Sequence, residues 1–383
     1  ETAPPAKELE LYRKAIHAEP ENISAMTRAA TLCATRLDRF EESRAFIEQA
    51  AGVFRGEKDE SSAEYADFLM ASAKLDSASG AMNPSRALSL YARAAQLFET
   101  AGWAFAERHA MALAGMGAAH FERGEMGRAL ECFLWAEKRC ADAGALRSSV
   151  RADSMIGAGR AYSRTGRHEK GVESIRRAML VLEDMKLERS ERYASALMAL
   201  GRAYGDHGDY EQGFQFAGQA KRVLIGSGLH NSPAYAEIVL ETGDMFAEIH
   251  RYQESLNCFV KAGEILDFFG RKKTPMRSMV LRGIGGVYCR MGEYEKAEKS
   301  LLESAEFLEK NAHAGTQEYV LTMSALGELY GKMEKSEQSL RYSTRARDIL
   351  ESHGLGRTDI AGSCLVWIAL AHERMKQPCL AVS

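Results

Sequence analysis

The stretch LRGIGGVYCRMGEYEKAEKS, residues 281–300, decides the fold. Leu281, Ile284, Gly285 and Tyr288 fall at three- and four-residue steps, so they share one face of a helix. Gly292 then breaks the pattern, and Tyr294 and Ala297 open a second helix. The segment therefore reads as two helices joined by a tight turn. Its neighbours repeat it: FERGEMGRAL (121–130), SRTGRHEKGV (163–172), GDHGDYEQGF (205–214), AEIHRYQESL (247–256), GKMEKSEQSL (331–340) and ERMKQPCLAV (373–382). The turn residues Gly124, Gly166, Gly208, His250, Gly292, Glu334 and Lys376 are each 42 residues apart. A fixed period of this length marks a stack of helical hairpins.

Other columns keep the same register. Seven residues before the turn stand Gly117, Gly159, Gly201, Gly243, Gly285, Gly327 and Ala369; four before it stand His120, Tyr162, Tyr204, Phe246, Tyr288, Tyr330 and His372. After the turn, Ala129, Gly171, Gly213, Ser255, Ala297, Ser339 and Ala381 recur, followed by Ala136, Ala178, Ala220, Ala262, Ser304 and Ala346. Small residues on both helices predict close backbone approach. The composition agrees: 46% of the 383 residues are hydrophobic and 27% charged, with only 7 prolines, which favours a well-packed helical chain over disorder.

These columns resemble the tetratricopeptide repeat, whose helix A carries a large residue, Leu-Gly and Tyr, and whose helix B carries Ala, an aromatic and Ala. Leu281, Ile284, Gly285, Tyr288 and Ala297 match in one unit; Met323, Leu326, Gly327, Tyr330, Ser339 and Ala346 match in another. The 42-residue period, longer than the usual 34, and HNSPAYAE (230–237) resemble the kinesin light chain type. That family's asparagine-rich helix A is missing, so its cargo specificity is not carried over. The resemblance implies an all-α solenoid, a right-handed superhelix of stacked antiparallel helix pairs, with helix A lining the concave face and helix B the convex one.

The expected organisation is one array over 1–383. A partial helix at 6–20 precedes repeats at 22–55, 62–102, 105–143, 147–186, 189–227, 231–269, 274–311 and 316–353, and 357–383 forms an incomplete last unit. Pro84 and Pro378 are expected to open B helices, and Pro233 and Pro275 A helices, where a missing N–H goes unnoticed. The last helix A, with Cys364, Leu365, Val366, Trp367, Ile368 and Leu370, lacks a polar cap, so its Trp367 face is expected to be covered by further chain, a partner or a second copy.

Signals for chemistry are weak. The seven cysteines are scattered, with no CxxC pair, and read as small apolar residues of a cytoplasmic protein. The histidines have no HExxH or zinc spacing, and His120 and His372 belong to the aromatic column. Gly283, Gly285 and Gly286 lack the GK[ST] of a phosphate loop and are assigned to close packing. Arg271, Lys272, Lys273 and Arg277 read as a solvated loop. A net charge of −3 gives no electrostatic case for nucleic acid or an anionic membrane. Hence no catalytic residue, metal or cofactor is assigned.

The readable surface is the inner face of helix A. Its expected partner-binding residues are Arg160 and Arg164, then Met198 and Arg202, then Glu237, Leu240, Glu241 and Asp244, then Met279, Arg282 and Arg290. Met198, Leu240 and Met279 are expected to be exposed apolar anchors within a basic–acidic–basic wall. Pairing of Arg202 with Glu241 or Asp244 is the competing structural reading. The expected function is a non-enzymatic adaptor holding a peptide or helical segment of a protein partner. By family resemblance its setting is a motor, cytoskeletal or ciliary assembly. The alternative is a regulatory module cut from a larger protein, a reading favoured by the partial units at both ends.

Overall fold

A computed structural model describes residues 5–37, 39–55, 60–78, 84–268, 275–311, 316–356 and 358–375. The described residues form eighteen α-helices, one 3-10 turn and no β-strand. By packing, the chain divides into two compact units, Glu1–Met185 and Lys186–Ser383.

The first unit holds α1 (Pro5–Ala18), α2 (Ile23–Thr35), α3 (Phe40–Arg55), α4 (Ala63–Ala78), α5 (Pro84–Ala101), α6 (Ala106–Glu122), α7 (Met126–Asp142), α8 (Ser149–Arg164) and α9 (His168–Asp184). The second holds α10 (Glu191–Asp206), α11 (Tyr210–Gly226), α12 (Pro233–Glu248), α13 (Tyr252–Phe268), α14 (Pro275–Met291), α15 (Tyr294–Lys310), α16 (Gln317–Lys332), α17 (Ser336–Ser352) and α18 (Asp359–Arg374). Within each unit, consecutive helices pair as A–B hairpins, and each A helix also touches the next A helix. The architecture is the expected α-solenoid. Pro84, Pro233 and Pro275 open helices as expected; the residues around Pro378, the turn at Lys376 and the loop Arg271–Lys273 lie outside the described residues.

The turn column has a backbone cause. Gly124, Gly166, Gly208 and Gly292 adopt φ between 73° and 90°, the left-handed conformation in which a side chain is costly. His250 and Glu334 occupy the same column at φ 61° and bear that cost. A second left-handed column sits between B and the next A helix, at Gly102, Gly144, Lys186, Gly228 and Gly354. A third regularity caps the A helices. Ser148, Ser190, Ser232, Thr316 and Thr358 each accept a hydrogen bond from the first helical turn, as Asn22 does for α2.

The small columns do what close approach requires. A Cβ on Gly201 would lie 2.8 Å from the carbonyl oxygen of Gly213, and one on Gly159 would lie 2.9 Å from that of Gly171. Where helix B carries serine, the hydroxyl uses the proximity: Ser255 and Ser339 donate to the carbonyls of Gly243 and Gly327, both at 2.8 Å.

Helix B side chains then wedge between successive A helices. Phe133 fills notches at both Gly117 and Gly157, where an added Cβ would come within 2.8 and 2.6 Å of its ring. Phe259 does the same between Gly243 and Gly283, at 3.2 and 2.7 Å. Gly286 is different: it belongs to the same glycine cluster, but a Cβ there meets nothing within 4 Å. The packing assignment holds for Gly283 and Gly285 and is corrected for Gly286.

Two outcomes follow. Gly283→Ala and Gly285→Ala should each destabilise by about 1–3 kcal/mol through overpacking. Gly286→Ala, one residue further, should stabilise by about 0.5–1 kcal/mol by removing a helix-interior glycine. Urea unfolding of the three variants reads both signs. Glu334→Gly should raise stability by about 0.5–1 kcal/mol by relieving its positive φ, offset in part by the greater freedom of the unfolded chain; thermal melting checks it.

Candidate functional site

In the second unit the A-helix wall is cross-braced. Arg202 on α10 pairs with Glu248 on α12 at 2.7 Å and with Asp206 at 3.0 Å. Tyr210 adds a hydrogen bond to Glu248 at 3.3 Å. Burial works against the charge of Arg202, but Glu248 and Asp206 outweigh it and hold the guanidinium above its ordinary pKa. Arg282 on α14 pairs with Glu318 on α16 at 3.2 Å. Arg290 donates to the Ala247 carbonyl near the C-terminal end of α12 at 3.1 Å, where a helix leaves carbonyls without partners. Arg374 on α18 does the same for Gly331 on α16. Arg202, Arg282 and Arg290, read from sequence as ligand contacts, thus link one A helix to another. The carboxylates paired with Arg202 are Glu248 and Asp206, whereas the competing structural reading had named Glu241 or Asp244.

The expected apolar anchors are placed differently. Met198 and Leu240 are buried, at 3% and 4% exposure, and Met279 is half-buried. The expectation that Met198 and Leu240 are exposed is therefore corrected. They share a helical column with Arg282, whose reach to α16 puts that column at the seam between A helices. Asp244 and Glu237 are exposed and Glu241 is half-buried. Asp244 has no hydrogen bond or ion pair among the described residues. Desolvation pushes its carboxyl above the usual aspartate range, against Arg282, Arg202 and Arg290, which pull it down.

A cleft of ≈ 750 Å³ lies at the turn ends of α11–α16. Tyr210, Tyr252 and Tyr294, the first residues of three successive B helices, line it together with Arg290 and Lys332. In the first unit, Arg160 and Arg164 are exposed and carry no carboxylate partner among the described residues. Arg160 lies over the Phe121 ring, 5.3 Å from its centroid. The aromatic column is structural. Tyr204 stacks on Phe216, Phe246 on Phe214 and Tyr330 on Tyr342. His120 is buried and bonds Glu125 at 2.6 Å. Trp367 is not the open face of α18. A Cβ at Gly331 would lie 2.3 Å from its ring, so it packs on α16, and the exposed apolar residues of α18 are Leu365 and Val366. Among the described residues no helix is long and apolar enough to cross a membrane.

If Arg202 is a brace, Arg202→Ala should cost about 1–2 kcal/mol in chemical denaturation, because it leaves Glu248 and Asp206 without their cation. Arg160→Ala, which gives up only an exposed cation–ring contact, should cost less than about 1 kcal/mol.

Residues 276–352 match a tetratricopeptide-repeat family model. A search of the curated proteins finds no match. Among solved structures, a Rap protein complexed with Competence and Sporulation Factor aligns with a TM-score of 0.57 and 10% identity, covering 93% of this chain and 99% of that one. Aspartyl phosphate phosphatase F from Bacillus subtilis aligns at 0.53 and 11%, over 77% and 73%. A kinesin light chain repeat structure from Podosopora anserina aligns at 0.43 and 15%, over 53% and 96%. The 42-residue register and the consecutive A–B pairing agree with that match: residues 276–352 are tetratricopeptide repeats, and the hairpins before them carry the same columns.

Proposed function

We propose that this chain is a non-enzymatic scaffold that holds a peptide or helical segment of a protein partner along its A-helix walls. The observation that carries the reading is the ≈ 750 Å³ cleft of the second unit, lined by Tyr210, Tyr252 and Tyr294. Tyrosines offer large contact area at low entropy cost, which is the chemistry of protein recognition sites. Stacked repeats generate extended surfaces of this kind. The Rap protein of the same fold, solved with Competence and Sporulation Factor, supports a binding role. The family resemblance adds a motor, cytoskeletal or ciliary assembly as the setting.

In the second unit Asp244 joins Tyr252 and Tyr294 as a proposed contact residue, because its charge has no ion-pair partner among the described residues; on the same ground Arg160 and Arg164 are proposed contact residues of the first unit, taken by itself. Arg202, Arg282 and Arg290 contribute indirectly, by fixing the wall.

A photo-crosslinking residue at Tyr252 tests the location, with one at Val260, exposed on helix B, as control. Partner capture from Tyr252 and not from Val260 is the expected result. Asp244→Asn, in the same unit as Tyr252, should weaken the captured partner about tenfold or more at constant melting temperature. Crosslinks from Val260 alone would move the interface to the B-helix surface.

A further inference from the structure

The B helix α7 carries a stripe that the hairpin packing leaves unused. Its buried side holds Ala129, Cys132, Phe133, Ala136 and Cys140. On the opposite side, three- and four-residue steps bring Arg128, Glu131, Leu134, Trp135, Lys138 and Asp142 into one stripe roughly 120° wide. Leu134 is 38% and Trp135 60% exposed, and the four charged residues around them are exposed as well. An indole carries so large an apolar area that an open tryptophan is more informative than an open leucine. Arg128 touches Glu125 at 3.3 Å at the start of its own helix; Glu131, Lys138 and Asp142 form no ion pair among the described residues.

The charges along this stripe read the same from either end, with the signs exchanged. Glu131 and Lys138 stand equally far on either side of the midpoint between Leu134 and Trp135, and Arg128 and Asp142 nearly so. A second α7 laid antiparallel against the first, about a two-fold axis at that midpoint, therefore sets Glu131 against Lys138 and Arg128 against Asp142, each twice. Leu134 and Trp135 of both copies meet at the centre. A parallel alignment would set each charge against its like. The other B helices lack this order. At the place of Trp135 in the 42-residue register stand Arg177 in α9, Lys261 in α13, Glu303 in α15 and Arg345 in α17. There the same two-fold would oppose identical charges at its centre, which is costly.

We propose that two copies of this chain pair antiparallel through α7, with Leu134 and Trp135 as the apolar centre and Glu131–Lys138 as the flanking ion pairs. The aromatic centre supplies the affinity, and the charges fix the orientation. A contact one helix long belongs with the small interfaces, below about 1,200 Å² in total, so the dimer dissociates on dilution. The surface lies on helix B, and the proposal is independent of the scaffold reading.

Sedimentation equilibrium of the full chain under reducing conditions, over a dilution series, tests it. The expected result is a reversible monomer–dimer equilibrium. Trp135→Ala should weaken dimerisation about tenfold or more at unchanged melting temperature, because an exposed ring adds little to the fold. Glu131→Lys and Lys138→Glu should each weaken it about tenfold or more. An equimolar mixture of those two variants should associate at near the original strength, because in the mixed pair both contacts again join opposite charges. The chain carrying both reversals should regain the dimer for the same reason. A chain that stays monomeric to about 1 mM overturns the second copy as occupant of the stripe. A dimer undiminished by Trp135→Ala, or a mixture no stronger than either variant alone, overturns α7 as the contact.

Discussion

The closeness of helices A and B at one glycine column sets the rest of the structure. At Gly201 the facing carbonyl of Gly213 leaves no room for a methyl group, and at Gly159 the facing carbonyl of Gly171 does the same. A pair of helices held this near has one permitted register. Any shift along the axis puts a larger residue at the contact. The turn must then have a fixed length, and its left-handed residue falls at a fixed distance from the glycine. The period of 42 residues is the outcome of that geometry repeated.

Behind this contact runs a second, looser constraint. The B-helix position that wedges towards the following A helix and the residue it meets trade volume. Tyr91 faces Gly115, Phe133 faces Gly157, and Phe259 faces Gly283. After the last described B helix the large residue stands on the A helix instead: Trp367 on α18 is seated against Gly331 on α16. Close packing fixes the sum of the facing volumes while leaving each residue free to vary. A column can therefore look irregular in sequence and still be strictly governed.

Much of this was readable in advance, and the failures are physical. The A–B turn and the small columns were legible because glycine has few other reasons to recur. The capping column, Ser148 to Thr358, is equally periodic but made of residues common in any loop. It acquires meaning only when each hydroxyl is seen accepting a backbone N–H. Met198 and Leu240 were placed on the open wall by counting three and four along the helix. One residue is 100° of rotation, and that column turns into the seam between A helices. Gly286 shows the converse: a glycine beside two packed ones that touches nothing.

Charge required the same care. A row of arginines and glutamates on a helix face reads as a ligand surface until each partner is located. In the second unit Arg202 and Arg282 bridge neighbouring A helices to Glu248 and Glu318, and Arg290 and Arg374 satisfy carbonyls near the ends of the A helices before them. Those cations are occupied by the fold, and the open charge there is the carboxylate of Asp244. In the first unit the balance reverses. Asp67 is taken by Arg108, while Lys74, Arg160 and Arg164 remain without carboxylates. Surface ion pairs of this kind add little stability singly. Their larger effect is to decide which charges stay available on each wall, among them Lys74, Arg160 and Arg164 in the first unit and Asp244 in the second.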